Sequence, residues 1–145
     1  LGQAIEKGNL IHWYMAQIHQ ETDIPFASES LLRLGMANEF QKNEIEEVAK
    51  NIVRHPLLQT FYSGAYETFN ERDIILPEGR IMRPDRINII DKHAVVIDYK
   101  TSQPNPKDQN QLNEYRVALN TMGYGSVENI LIYISEDMSL EFKSF

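Results

Sequence analysis

Between Arg80 and Lys100 the chain reads as two stretches rich in Ile and Val separated by Asp91-Lys92, on each of which residues two apart share a face. That pattern predicts two antiparallel strands joined by a tight turn. Ile81, Arg83, Asp85, Ile87 and Ile89 share one face of the first strand, and Ala94, Val96, Asp98 and Lys100 share one face of the second. Asp85 and Asp98 therefore interrupt faces that are otherwise apolar. Desolvating an ionised carboxylate is costly enough to demand a partner or a proton. A divalent cation answers that demand for both groups, and Lys100 adds an ammonium two residues beyond Asp98. Two carboxylates and one amine on neighbouring strands point to metal-dependent hydrolysis.

The rest of the chain is read around that pair. Residues 3–19 predict a helix on which Ile11, Met15 and Ile18 recur at helical spacing and Gly8 and His12 fall on one face. A glycine inside a helix suggests close approach of another segment beside His12. Pro25 marks a loop, and Ser28 is the expected N-cap of a short helix over residues 28–36. Ile45, Val48, Ala49, Ile52 and Val53 form the stripe of the next helix, which stops at His55-Pro56. Glu44, Glu46, Glu47 and Lys50 are expected on its solvated side. Residues 56–62 predict a further helical turn ended by Ser63-Gly64.

From Tyr66 the pattern turns to strand: residues 66–76, a hairpin turn at Pro77-Glu78-Gly79, then residues 80–90, with Pro84 requiring a bulge or an unpaired position because it lacks an N–H. Residues 93–101 predict the third strand. Asn105-Pro106 reads as an N-cap and first helical residue, with Asp108 favourable in the first turn and Gly123 as the stop. Residues 127–134 predict a fourth strand and residues 140–145 a shorter one. The expected architecture is one α/β domain over 1–145, with an N-terminal helical layer at 1–62 and, over 63–145, a three-strand antiparallel meander, a crossover helix and a returning strand.

Composition narrows the chemistry. The 145 residues, 42% hydrophobic and 24% charged, suit one domain with a real core. With no cysteine, disulfides, zinc-thiolate sites and iron-sulfur clusters are excluded, leaving oxygen and imidazole ligands and favouring Mg2+ or Mn2+. A net charge of −7 argues against a free-standing nucleic-acid binder, yet leaves room for a nuclease whose metal-binding carboxylates swell the negative sum. Arg72, Arg80, Arg83 and Arg86 crowd around Asp85. The opening residues show no signal peptide and no segment spans a bilayer, so the sequence reads as a cytoplasmic, unsecreted fragment of a longer protein.

Taken singly, these features have ordinary explanations. His12 suits a hydrogen-bonded core histidine, and Gln111 and Tyr115 lie on a helix that packs through Leu112, Tyr115 and Leu119. Their order is more specific. Gly8-Asn9-Leu10-Ile11-His12, Arg83-Pro84-Asp85-Arg86, Ile97-Asp98-Tyr99-Lys100-Thr101, and then Gln111 and Tyr115 resemble the RecB-type nuclease signature of the PD-(D/E)XK superfamily of restriction-endonuclease-like folds. Asn70-Glu71-Arg72-Asp73-Ile74-Ile75 followed by Arg83-Pro84-Asp85-Arg86 most resembles the C-terminal nuclease module of UvrD/RecB-like, AddAB-type helicases.

That resemblance covers nearly the whole chain. It implies that His12, Asp85, Asp98 and the Tyr99 backbone carbonyl bind the metal, that Asp85, Asp98 and Lys100 form the catalytic set, and that Gln111 and Tyr115 contact DNA or support the site. Glu71, Arg83 and Arg86 would take secondary DNA-contacting or supporting places, although surface ion pairing also accounts for Glu71. No GxxxxGK[ST] loop is present, so no ATP site is expected in this stretch. The implied activity is a DNA exonuclease acting on linear or single-stranded ends in repair and recombination, with parent helicase domains and a second helicase-nuclease subunit as partners. A non-catalytic DNA clamp or helicase-interaction module, and a stand-alone restriction or CRISPR-associated enzyme, remain open alternatives.

Overall fold

The computed structural model describes residues 6–145, and the chain divides into two compact units, Leu1–Ala65 and Tyr66–Phe145. The expected helical residues 3–5 lie outside the described residues.

The first unit is helical. Helix α1 spans Lys7–Ala16 and buries Leu10, Ile11, Tyr14 and Met15. A single 3-10 turn at Glu21–Asp23 follows, held by Asp23 Oδ2, which accepts the N–H groups of His19 at 2.9 Å and Gln20 at 3.0 Å. Helix α2 spans Ile24–Arg33, so it begins earlier than the sequence suggests, and Pro25 lies in its first turn rather than in a loop. The first helical N–H groups have no intrahelical partner, so a proline costs nothing there. Ser28 is consequently inside the helix and buried, not at its cap. Its hydroxyl meets the Tyr14 hydroxyl at 2.7 Å and donates to Glu46 Oε1 at 2.9 Å.

Glu46 belongs to helix α3, Glu39–Val53, and through Ser28 it leaves the solvated side expected for it. Asn38 caps α3 reciprocally: Asn38 Oδ1 accepts from Gln41 N at 2.9 Å, and Gln41 Oε1 accepts from Asn38 N at 3.0 Å. The turn expected after His55-Pro56 is a 3-10 segment at Gln59–Tyr62. Gly64 ends it at φ +88, where an added Cβ would sit 2.9 Å from the Gln20 side chain.

The second unit is a five-stranded mixed sheet crossed by one helix, an α/β arrangement of the restriction-endonuclease-like kind. Its strands are β1 (Glu67–Asn70), β4 (Arg86–Ile90), β5 (His93–Lys100), β6 (Ser126–Ile134) and β7 (Leu140–Ser144), in that spatial order. The first three form the antiparallel meander, with Phe69 opposite Ile87 and Ile87 opposite Val96. Helix α4, Pro106–Thr121, carries the chain over to β6, which runs parallel to β5, and β7 returns antiparallel along β6.

The long hairpin expected over residues 66–90 is divided. Its tip forms a separate two-stranded ribbon, β2 (Ile74–Ile75) with β3 (Ile81–Met82), closed by a turn in which Gly79 stands at φ +89. Between ribbon and sheet, residues 83–85 leave the ladder because Pro84 has no N–H to contribute. Opposite them Glu71 adopts φ +50. The core lies between α4 and one sheet face, where Ile87, Ala94, Val96 and Leu131 meet Leu112, Tyr115, Ala118 and Leu119. No helix among the described residues is long and apolar enough to cross a membrane.

Candidate active site

Where the β4–β5 ladder ends, two aspartates continue it with their side chains. Arg86 opposite Ile97 is the last regular pair. Beyond it, Asp85 N donates to Asp98 Oδ1 at 2.8 Å, and Tyr99 N donates to Asp85 Oδ2 at 2.8 Å. Each carboxylate thus replaces a ladder carbonyl that the Pro84 break removes. On the other flank Glu71 N donates to the Asp85 carbonyl at 3.0 Å, so the main chain of Asp85 is held between β5 and the segment after β1. Asp85 itself is in the bend before β4 rather than in a strand, and is half-buried; Asp98, in β5, is only 3% exposed. A strand residue directs its N–H and C=O to the same edge, so the Tyr99 carbonyl also leaves β5 on the Asp85 side.

Helix α4 supplies the next layer. Lys100 Nζ donates to Gln111 Oε1 at 2.9 Å. One turn along, Tyr115 is 2% exposed and its hydroxyl hydrogen-bonds Asp98. Burial first, then the negative charges of Asp98 and Asp85, push the Tyr115 phenol far above its ordinary value, so it stays a proton donor. The spacing of Gln111 and Tyr115 on α4 therefore sends one to the lysine and the other to the buried carboxylate.

The start of α4 is fixed by a group that sequence reading credits only with a favourable charge. Asp108 Oδ2 accepts the Asn105 N–H at 3.1 Å and the Tyr133 hydroxyl at 2.9 Å. Tyr133 stands opposite Lys100 in the parallel β5–β6 register. The pair joins the helix start to the strand beside Lys100, and its only signal in the sequence is the capping position of Asp108.

The four arginines near Asp85 are used differently. Arg80 Nη1 donates to Glu114 at 3.1 Å and its Nε to Glu78 at 3.4 Å. Arg83 Nε donates to Asp73 Oδ1 at 2.6 Å, and its guanidinium is exposed. Arg86 is fully buried, with Nε donating to Asn88 Oδ1 at 3.1 Å and Nη1 to Asn70 Oδ1 at 3.5 Å. A guanidinium engaged inside the protein is not presented to solution, so of the two places expected for Arg86, DNA-contacting or supporting, its burial fits the supporting one. Arg72 lies over the Phe69 ring, 4.9 Å from its centre. Glu71 is exposed and acts in the site through its main chain.

His12 is described within its own helical unit. Its Nδ1 lies 2.8 Å from the Gly8 carbonyl, which only accepts, so Nδ1 donates there. A metal-ligating histidine commonly uses one ring nitrogen in this way. Among the described residues no group of three or more His, Cys, Asp or Glu side chains is gathered as a metal-binding cluster. Asp85 and Asp98 still fit a hard divalent cation in chemistry, since both present carboxylate oxygens fixed by main-chain donors.

Comparison with known proteins adds the following. The family described as the PD-(D/E)XK nuclease superfamily matches residues 1–138. No curated protein sequence matches the chain. Among solved structures, one titled "Crystal structure of SSO0001" is similar at 19% identity with a TM-score of 0.40, covering 99% of this chain and 68% of its own.

Proposed function

The chain belongs to the PD-(D/E)XK nuclease superfamily, and from that premise we propose that it hydrolyses phosphodiester bonds of DNA with a bound Mg2+ or Mn2+. The observation that carries this reading is the pair of main-chain bonds that holds the two carboxylates, Asp85 N–H to Asp98 Oδ1 and Tyr99 N–H to Asp85 Oδ2, with Lys100 one strand position beyond Tyr99. Each carboxylate has one oxygen held by a main-chain N–H group, and Asp98 lies two residues before Lys100 on the same strand.

Asp85, Asp98 and the Tyr99 carbonyl would hold the ion, and the resemblance assigns His12 to it as well, whose Nδ1 is hydrogen-bonded to the Gly8 carbonyl. When bound, the cation supplies Lewis-acid stabilisation of charge on the phosphate oxygens. Lys100 spends one N–H on Gln111 and has two more with which to orient the attacking water or offset charge on the scissile phosphate. Gln111 fixes the direction of that ammonium. Tyr115 donates to Asp98 and holds its carboxylate in place. Glu71 supports Asp85 through the main chain, and Arg83, paired with Asp73, supports the segment that carries Glu71.

The finer role follows the RecB-type motifs: an exonuclease module working on linear or single-stranded ends in repair and recombination, in the cytoplasm, beside helicase domains and a partner subunit. The test is digestion of end-labelled linear and circular DNA by the whole chain with Mg2+, Mn2+ or chelator. Cleavage that requires metal, is abolished by Asp98→Ala and Lys100→Ala, and spares circles supports the proposal. Equal activity in either variant sinks the site, and cutting of circles sinks the exonuclease reading.

A further inference from the structure

We propose that Arg72, laid against Phe69, is a phosphate contact for the DNA strand being cut. The inference rests on the nuclease reading above and adds a substrate-positioning residue to it.

The four arginines around Asp85 are alike in the sequence and unlike in the structure. Arg80 is engaged by Glu114 and Glu78, Arg83 by Asp73, and Arg86 is buried among asparagines. Among the described residues the guanidinium of Arg72 makes no hydrogen bond or ion pair, and its contact is the face of Phe69 at 4.9 Å. An aromatic ring under a guanidinium holds its plane and leaves the in-plane N–H groups directed outward. Those donors form the fork that matches a phosphate.

The residues on either side of Arg72 are engaged, Glu71 through its main chain and Asp73 through its side chain. Glu71 N is bonded to the Asp85 carbonyl, and the Asp73 carboxylate is bonded to Arg83. Arg72 is therefore one residue from a direct main-chain link to the proposed site.

The sheet register places it on the correct face. Phe69 stands opposite Ile87 and Ile87 opposite Val96. Directly paired residues share a face, and Asp98 and Lys100 follow Val96 at intervals of two. Phe69 packs against the same α4 core as these residues. Two strand spacings and two residue rises separate the Cα atoms of Phe69 and Asp98 by about 12 Å. A few nucleotides, at about 3.4 Å per step in one stacked strand, cover that distance. A phosphate held by Arg72 would thus belong to the same strand as the scissile bond.

The test is binding of a fluorescent single-stranded oligonucleotide to the whole chain in chelator, followed across salt concentrations, together with metal-dependent cleavage. Arg72→Gln is expected to weaken binding roughly three- to ten-fold at low salt. It should also lower the slope of log affinity against log salt by about 0.7, the value for one phosphate contact on a single strand. Arg72→Lys should keep the slope and recover part of the affinity, and Phe69→Leu should weaken binding without changing the slope. Arg80→Gln, whose guanidinium is already paired, should leave the slope unchanged. If Arg72→Gln binds with wild-type affinity and slope while wild type cuts DNA, the inference fails and the nuclease reading stands. If wild type neither binds nor cuts DNA, both fall.

Discussion

Asp85 and Asp98 are locked together through main-chain groups: the Asp85 N–H donates to Asp98 Oδ1 and the Tyr99 N–H donates to Asp85 Oδ2, each at 2.8 Å. The arrangement exists because Pro84 ends the β4–β5 ladder one residue early and exposes strand groups that must still be satisfied. The same hydrogen bonds therefore serve folding and set the position of both carboxylates. Their two contributions can be separated by substitution.

Asp98→Asn keeps an oxygen that accepts the Asp85 N–H, whereas Asp98→Ala leaves that part-buried donor without its partner. The alanine variant is expected to lose about 1–3 kcal/mol of stability and the asparagine variant about 1 kcal/mol or less. Both should lose cleavage. Urea unfolding measures the first difference. Thermal unfolding with Mn2+ measures the second function, because a ligand at about 100 times its dissociation constant adds about 2.7 kcal/mol to the folded state. Wild type should gain that stabilisation and Asp98→Asn should not.

Lys100 and Gln111 should separate chemistry from metal binding. Lys100→Met removes the ammonium and is expected to lower kcat by about 10²–10³-fold while leaving the Mn2+-induced thermal shift intact. Gln111→Leu leaves the lysine but frees its direction, so its loss in kcat should be smaller, about ten-fold or less. A Lys100→Met variant that no longer responds to Mn2+ would instead make the lysine part of the scaffold around the carboxylates.

These distinctions show what was readable beforehand. The strand carrying Asp98, the Pro84 break, the Asn105-Pro106 helix start and the crossover to β6 follow from local rules of periodicity, missing donors and capping, whereas the placing of Asp85 in a bend before β4 rather than in a strand does not. Periodicity does not choose between a DNA-contacting and a supporting place for Arg86, because its burial depends on Asn88 and Asn70 from positions that periodicity treats as ordinary. Ser28 was misread for a related reason. As a hydroxyl after a proline it suits a cap, but the decisive partners, Tyr14 and Glu46, lie on other helices. The Asp108–Tyr133 tie is equally non-local, since it joins a helix start to a strand 25 residues away.

Buried phenols predict an alkaline loss of stability. Burial pushes Tyr14 up to about 12, with the Ser28 bond opposing and the Glu46 charge adding. Burial and then Asp108 push Tyr133 up to about 12, and Tyr115 is raised further by burial and the two aspartates. Because the folded state holds these protons more tightly than the unfolded chain, their contribution is whole below the ordinary tyrosine value of 10.0 and is lost as pH rises from there toward 12. Ultraviolet titration of phenolate should show these three ionising late among the seven tyrosines, or together with unfolding. Urea midpoints should fall over the same window, and Tyr14→Phe should make that fall shallower.

The Asp108–Tyr133 contact predicts a change in catalysis from a residue outside the reacting groups. Asp108 Oδ2 holds both the Asn105 N–H and the Tyr133 hydroxyl, and Gln111 follows Asp108 by one helical turn. Tyr133→Phe deletes one hydrogen bond to a carboxylate and leaves the capping bond, so stability should fall by about 1–2 kcal/mol with the helix still formed. The beginning of α4 then loses its attachment to the strand position opposite Lys100. Gln111 would hold the ammonium in a broader range of directions, and kcat should drop a few-fold with KM little changed. Asp108→Ala, which also removes the reciprocal bond to the Asn105 N–H, should cost more stability and a larger share of kcat. Steady-state cleavage kinetics with urea unfolding on the same preparations distinguishes this from a simple fold defect: a loss confined to stability in Tyr133→Phe, with unchanged kcat, would show that the start of α4 does not set the lysine.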